Sequence, residues 1–274
     1  MYSNLKYKWQ KGIALLKHTI ILFYNHRFNS TVKLQLKDPK SIPVVIISFN
    51  QLSYLKELVN GLLQYGYKNI VILDNNSTYQ PLLEYFKTLN SGVTLHKLDK
   101  NLGHLAFWQS QKIFKKYSKG YYIVTDADVV PIQACPEDFV NTLRELLDKA
   151  YDRTKVGLSL KLDDIPESNP NKKAILKWEA RFNKVISHPQ AFKAEVDTTF
   201  AIYRPNYNYK LKHFTKAWRT KFPLQAMHGG WYLDINNLTE EQRFYMQTAN
   251  ESASWRVNEK GELVNTIHKS LYNE

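Results

Sequence analysis

At 274 residues, with 43% hydrophobic and 23% charged side chains, the chain is long enough to bury one large core or two fused halves, and its composition is that of a globular protein. Its single cysteine, Cys135, excludes an intramolecular disulfide and a stapled secreted fold, and suits a reducing, cytoplasmic compartment. A net charge of +13 calls for an anionic partner, and +7 of it lies in residues 1–40, where eight lysines and arginines face only Asp38.

The N-terminal segment, residues 1–40, holds two apolar patches at 13–16 and 20–24, split by Lys17 and His18. A spanning helix needs roughly 20 mostly apolar residues, and this run is too short and too interrupted. A small-residue cleavage site is missing after it, so a signal peptide is not expected. Trp9, Ile13, Leu16, Ile20 and Phe23 fall near one helical face, with Lys8 and Lys11 off it. Two readings follow: an interfacial helix resting on anionic lipid, peripheral at the inner face of a membrane, or a helix packed on the body with its lysines in water.

Residues 42–49 form a β-branched run that predicts a buried parallel strand. A helix with Ser53 as N-cap follows over 53–63, its apolar residues at 55, 58, 59, 62 and 63. Further strands are predicted at 69–73, 93–98 and 121–125, with helices at 82–89 and 105–117 between them. This alternation means βαβ units and a mostly parallel sheet flanked by helices, a first half over 41–150. Past 150 the pattern loosens into a second half and C-terminal extension, 151–274. Strands are expected at 156–160 and 194–203, a polar loop at 163–173, and helices at 174–183 and 240–250. Residues 205–225 are basic and aromatic without clear periodicity.

Ligands of such sheets bind beyond the carboxyl ends of the strands. Polar clusters occupy those ends: Ser48 and Asn50, then Asp74 to Ser77, then Asp126, Ala127 and Asp128. In an extended segment residues i and i+2 share a face, so Asp126 and Asp128 can address one crevice. A hard divalent cation takes one or two carboxylates plus substrate phosphates, which suits Mn²⁺ or Mg²⁺ carrying a diphosphate.

The chain resembles the GT-A fold nucleotide-diphospho-sugar glycosyltransferases, most nearly glycosyltransferase family 2. The resemblance rests on residues 46–50, 72–77, Asn101 to Gly103, and 124–131. It implies a sugar transfer from a nucleoside diphosphate sugar, of UDP or GDP type, to an acceptor hydroxyl on a glycan or lipid-linked acceptor, with surface-polysaccharide synthesis as the setting. It also makes 41–150 the nucleotide-sugar-binding half and 151–274 the acceptor-binding half with a C-terminal extension. By the same resemblance Ser48 and Asn50 lie near base and ribose, Asp74 contacts the nucleobase or ribose, and Asn101 and Gly103 line the nucleotide pocket. Asp126 would contact ribose or metal, beside Ala127, and Asp128 would bind the metal. His228, followed by Gly229 and Gly230, is the candidate to complete the metal site. The family's Glu-Asp pair has no convincing copy here. Asp197 is the first candidate for the general base, ahead of Asp234 and Glu179, with Thr198 and Thr199 beside it to bind hydroxyls. Trp231 and Tyr232 are candidates to stack on sugar faces, whereas Trp108 is expected to fill core.

Rival readings are distinguished by residues. A sugar-1-phosphate nucleotidyltransferase would carry a Gly-rich basic loop after the first strand, which residues 50–53 lack. A non-catalytic glycan- or lipid-binding relative would have lost the acidic pair. Nucleic acid is not an expected partner, since the charge is concentrated in one short segment and a zinc-ligand cluster and an RNA-recognition signature are missing.

Overall fold

The computed structural model describes residues 2–197, 199–208, 215–250, 253, 256–258 and 260–264, with side chains from Lys8 onward. Two helices open the chain, α1 (Tyr2–Phe28) and α2 (Ser30–Lys37), and the Asn29 side chain caps the second by accepting from the Val32 amide at 3.1 Å. Then come β1 (Val44–Ser48), α3 (Ser53–Gln64), β2 (Ile70–Asp74), α4 (Gln80–Lys87) and β3 (Val93–Lys97). Next are α5 (Ala106–Gln109), α6 (Gln111–Tyr117), β4 (Tyr122–Asp126), β5 (Val129–Pro131) and α7 (Phe139–Lys149). The remainder is β6 (Lys155–Gly157), β7 (Ser159–Leu160), α8 (Lys172–Ala180), β8 (Ile186–His188), β9 (Ala191–Glu195), β10 (Ala201–Tyr203), β11 (Lys216–Thr220), β12 (Gln225–His228) and α9 (Glu240–Thr248).

Nine strands form one sheet in the order β3-β2-β1-β4-β10-β6-β11-β9-β8. The first four are parallel, and following each pairing outward leaves seven strands running one way with only β9 and β10 reversed. Strands β1 and β2 are buried at every position, which is why they read as unbroken apolar runs. Alternate residues feed two cores: Ile46, Ile72 and Ile123 pack with α3, α4 and α7, while Val45, Val71 and Val124 pack with Phe107, Trp108 and Phe114. Trp108 is therefore core, as expected. This is the doubly wound α/β layer of a GT-A fold, and its strand order reverses between β1 and β4, where a crevice must open.

Several predicted elements change on folding. Residues 156–160 divide into β6 and β7, which join different sheets; the second sheet is three-stranded, β5-β12-β7. The expected strand at 194–203 also splits, but within the large sheet: β9 pairs with β11, whereas β10 lies between β4 and β6. The chain crosses from one to the other over 196–200, packed so closely that a Cβ on Gly157 would meet Val196 at 2.6 Å. The helix at 105–117 breaks at Ser110, which leaves helical geometry (φ −83°, ψ 74°). Helix α7 was not expected, although Phe139, Val140, Leu143, Leu146 and Leu147 have helical spacing and are all buried.

Ser53 does not cap α3. It is the first helical residue, and its amide and hydroxyl donate to the Glu241 carboxylate, at 3.1 and 2.8 Å, with the Leu52 amide joining at 3.0 Å. Glu241 on α9 thus supplies the anion that the α3 N-terminus needs. Helix α9 itself starts with a reciprocal capping box between Thr239 and Gln242.

Of the apolar stripe of α1, only Ile13 is half-buried; Trp9, Leu16, Ile20 and Phe23 stay exposed and do not pack on the body. The helix docks through His18, which bonds the Asp148 carbonyl (2.7 Å), His26, which bonds the Tyr121 hydroxyl (3.1 Å), and Asn29, which donates to the Lys119 carbonyl (2.8 Å). No described helix is long and apolar enough to cross a membrane.

Candidate active site

Parallel pairing of β1 with β4 sets Ile47 opposite Asp126, and the Ala127 amide donates to the Ile47 carbonyl at 3.1 Å. The chain turns at once into β5, whose antiparallel partner β12 places His228 opposite Val129. That register brings the loop after β12 onto Asp128. Gly229 donates its amide to the Asp128 carbonyl (2.7 Å), and Gly230 donates to the Asp128 carboxylate (3.0 Å). The Tyr54 ring fills the place of a side chain at Gly229, where a Cβ would come within 2.4 Å of it. On the same loop the His228 imidazole stacks on Trp231 with centroids 4.9 Å apart.

A cavity of about 530 Å³ opens here. Asp126, Ala127, Asp128, His228, Asn101 and Gly103 all border it. Asp128 is nearly buried, and the His228 Nδ1 lies 3.8 Å from its carboxylate, too far to share a hydrogen bond. Among the described residues this Nδ1 is buried without a hydrogen-bond partner. A carboxylate and an orphaned imidazole nitrogen facing one cavity are a donor set that fits a divalent cation whose remaining ligands are diphosphate oxygens. No preformed cluster of three or more acidic, histidine or cysteine ligands exists among the described residues.

Ser48, Asn50 and Asp74 lie behind the wall rather than on it, all buried. Asn50 (φ 49°) is consumed by structure: its Oδ1 accepts from the Thr78 and Tyr79 amides (2.7 and 3.0 Å) and its Nδ2 donates to the Thr248 hydroxyl (2.9 Å). The Asp74 carboxylate accepts from the Ser77 amide (3.1 Å), and burial pushes its pKa up. The residue of this turn that reaches the cavity is Asn75, which fixes the Asn101 loop by accepting from the Leu102 amide (2.7 Å) and donating to the Gly103 carbonyl (3.1 Å). Asn101 in turn accepts from the Gly103 amide (2.8 Å), and Gly103 needs its freedom from a side chain at φ 65°.

Asp197 is exposed on the cavity wall, beside the buried Thr199, whose hydroxyl has no hydrogen-bond partner among the described residues. Thr198 lies outside the described residues. The Asp197 carbonyl accepts from the Lys155 ammonium (2.5 Å), which also donates to the Tyr203 hydroxyl (3.2 Å). Burial pulls Lys155 down to about 7, against the upward pull of Asp197 and Asp126. Glu179 borders the cavity but is tied to Arg219 in a buried ion pair, and Asp234 accepts from the Asn236 amide (3.1 Å) away from it. Trp231 borders the cavity, whereas Tyr232 turns its hydroxyl to Asp164 (2.5 Å).

Helix α9 closes one side with Glu241, Gln242 and Tyr245. Burial, then Asp128 and then Asp126, push the Tyr245 hydroxyl well above its usual range; burial, then Asp128, Glu57 and Glu241, push Tyr54 up to about 12. Both phenols therefore stay protonated donors beside the acidic pair. Sequence reasoning marked Asn75 only as part of the cluster at 74–77, and it missed Tyr54, Tyr245 and Lys155. None of these three sits in a spacing that marks it, and tertiary packing alone brings them to the cavity.

The doubly wound sheet thus carries an acidic pair at its switch point. The sequence profile of glycosyl transferase family 2 matches residues 44–200, and the chain belongs to this family. No curated protein sequence matches it significantly. Among solved structures it is similar to S. aureus TarS, at 15% identity and TM-score 0.42, over 80% of this chain and 41% of that one. It thus spans less than half the TarS chain. It is also similar to the mannosyltransferase PcManGT from Pyrobaculum calidifontis, solved with GDP-Man and Mn²⁺, at 13% identity and TM-score 0.43, over 88% of this chain and 74% of that one. Similarity to HddC from Yersinia pseudotuberculosis is at 15% identity and TM-score 0.41, over 66% of this chain and 92% of that one.

Proposed function

We propose that the protein transfers a sugar from a nucleoside diphosphate sugar to an acceptor hydroxyl in a surface-glycan pathway. The observation that carries this is the convergence of Asp126, Asp128 and His228 on one cavity at the switch point of a family 2 sheet. Asn101, Gly103 and Asn75 hold the donor end, their mutual bonds presetting the loop that the nucleotide would meet. Asp126, Asp128 and His228 are the residues that would hold Mn²⁺ or Mg²⁺. Bound there, the ion would neutralise charge on the departing diphosphate.

The chain's own groups then divide the work. Gly230 fixes one oxygen of Asp128, a residue that borders the cavity. The Tyr245 phenol, kept protonated beside the acids, is a donor for developing charge on the leaving group. Asp197, exposed on the cavity wall, is the group to accept the acceptor proton, its backbone held by Lys155. Thr199 offers an unused hydroxyl to a sugar. We place the work in the cytoplasm at the inner face of a membrane, with a glycan or lipid-linked acceptor and with residues 1–40 nearest the lipid.

The test is a thermal-shift screen of UDP, GDP and their sugars with and without Mn²⁺ or Mg²⁺. A ligand at a hundredfold excess over its Kd stabilises the native state by about 2.7 kcal/mol, a readable shift. A metal-dependent shift with one nucleotide supports the reading. No shift from any nucleotide in a folded sample would refute it.

A further inference from the structure

Helix α1 is 27 residues, about 40 Å long, and touches the body with one edge only. His18, His26 and Asn29 lie on that edge. The opposite arc carries Trp9, Leu16, Ile20 and Phe23, which are 74%, 61%, 58% and 66% exposed, and Tyr24 and Phe28 extend it. Polar side chains thus hold the helix to the protein while the large apolar ones face outward, the reverse of an ordinary surface helix. A continuous apolar face of this kind marks an interaction surface.

Charge says what covers it. At helical spacing Lys8 and Lys17 fall on the two flanks of this face, and Lys11, Arg27, Lys33 and Lys37 are exposed on the same two helices, against Asp38 alone. A cationic fringe around aromatic and aliphatic side chains fits a bilayer interface with anionic headgroups. A second copy of the helix would set these cations against one another.

The docking contacts also fix the direction in which the site faces. Lys119 and Tyr121 immediately precede β4, and Gln35 of α2 donates to the Tyr121 carbonyl (2.8 Å). Asp126 is the last residue of the same strand. The helices are therefore at the amino end of β4 and the candidate site at its carboxyl end, five residues or about 17 Å further along.

We propose that α1 seats the protein on an anionic bilayer through its Trp9–Leu16–Ile20–Phe23 face, with the transfer cleft turned away from the lipid. The acceptor hydroxyl then stands off from the headgroups, as at the growing end of a glycan that already has several sugars, rather than in the headgroup layer. This rests on the membrane setting proposed above and not on the transfer chemistry.

Flotation of the full chain with vesicles of phosphatidylcholine, alone or with phosphatidylglycerol, tests the seating. Binding should be at least tenfold stronger to the anionic vesicles, and the variant carrying Leu16→Glu, Ile20→Glu and Phe23→Glu should lose it at least tenfold. Its nucleotide-dependent thermal shift should match that of the parent chain, which separates a failure of docking from a failure of the site. Equal binding to neutral vesicles, no binding, unchanged binding by the variant, or a solution dimer that the variant dissolves would each overturn the seating. A polarity-sensitive dye on Ile20→Cys should shift to the blue with anionic vesicles, and the same dye on Asn250→Cys, at the cavity wall, should not. A blue shift at position 250 would overturn the orientation.

Discussion

The Gly230 amide donates to the Asp128 carboxylate at 3.0 Å, a bond that joins residues 102 positions apart. It orients one carboxylate oxygen and leaves the charge facing the cavity. Asp128→Asn keeps an oxygen to accept this bond and removes only the charge. Stability of the variant should therefore stay within about 1 kcal/mol of the parent. Its turnover should fall at least about a hundredfold, since fixed charge at the leaving group is commonly a large catalytic contribution. Comparison of chemical denaturation with initial rates checks both, and near-normal rates would remove Asp128 from the site.

Gly229 makes the next prediction, because a Cβ there would sit 2.4 Å from the Tyr54 ring. Tyr54 packs against the buried core and has no easy retreat. Gly229→Ala should cost about 1–3 kcal/mol by overpacking. At Gly230 the added Cβ would meet the His228 ring at 3.0 Å and the Asp128 carboxylate at 3.4 Å. Gly230→Ala should therefore weaken metal-dependent nucleotide binding more than it lowers stability. Urea midpoints beside titrations with Mn²⁺ separate the two outcomes.

Arg219 and Glu179 form an ion pair with side chains only 6% and 5% exposed, between the cavity and a neighbouring pocket of about 400 Å³. Breaking a buried pair leaves one charge without its partner, at a cost of about 3–5 kcal/mol. Arg219→Met and Glu179→Gln should each destabilise by that order, and the double variant by less than their sum. A double-mutant cycle in urea measures the coupling, and additive losses would show that the pair is not coupled.

The first half of the fold was legible because β1, β2 and β4 are buried on both faces and their βαβ spacing leaves few alternatives. The acidic pair could be read for the same reason, since it ends a strand whose direction the alternation had fixed. Beyond residue 150 the chain changes sheets at Leu158 and changes its place within the large sheet between β9 and β10, and an apolar run looks the same whether it stays or crosses. The site divides along the same line. Asp126, Asp128, Asn101 and Gly103 sit at predicted strand ends and reach the cavity, and His228 reaches it through a glycine pair that was visible. Asn50 and Asp74 sit at strand ends as well, and their side chains bond within the turn at 77–79 rather than line the cavity, since a polar side chain after a strand serves a turn as readily as a nucleotide. Tyr54 and Tyr245 carried no signal, since only tertiary packing makes α3 and α9 neighbours.

Cys135 is buried at 2% exposure, and burial pushes its thiol up to about 12. A thiolate is the reactive form, so the native protein should not react with a disulfide reagent near neutral pH. One thiol per chain should titrate after unfolding in guanidinium. Rapid reaction of the native protein would show that the segment around Cys135 opens.

Lys155 gives a pH prediction with a definite sign. Its ammonium is buried, donates to the Asp197 carbonyl and the Tyr203 hydroxyl, and is pulled by burial down to about 7, although Asp197 and Asp126 oppose the shift. From there up to the ordinary lysine range the unfolded chain binds this proton and the native chain does not. Stability from this group therefore rises with pH across that window, by at most about 1.4 kcal/mol per unit, and levels off below about 7, where both states bind the proton. Lys155→Met removes the titration and leaves the other groups in place. Urea denaturation of both proteins at pH 7, 8 and 9 should show the parent gaining on the variant at each step. Parallel curves would mean that the carboxylates keep the ammonium charged through this range, and that Asp197 is held beside a permanent cation rather than a neutral amine.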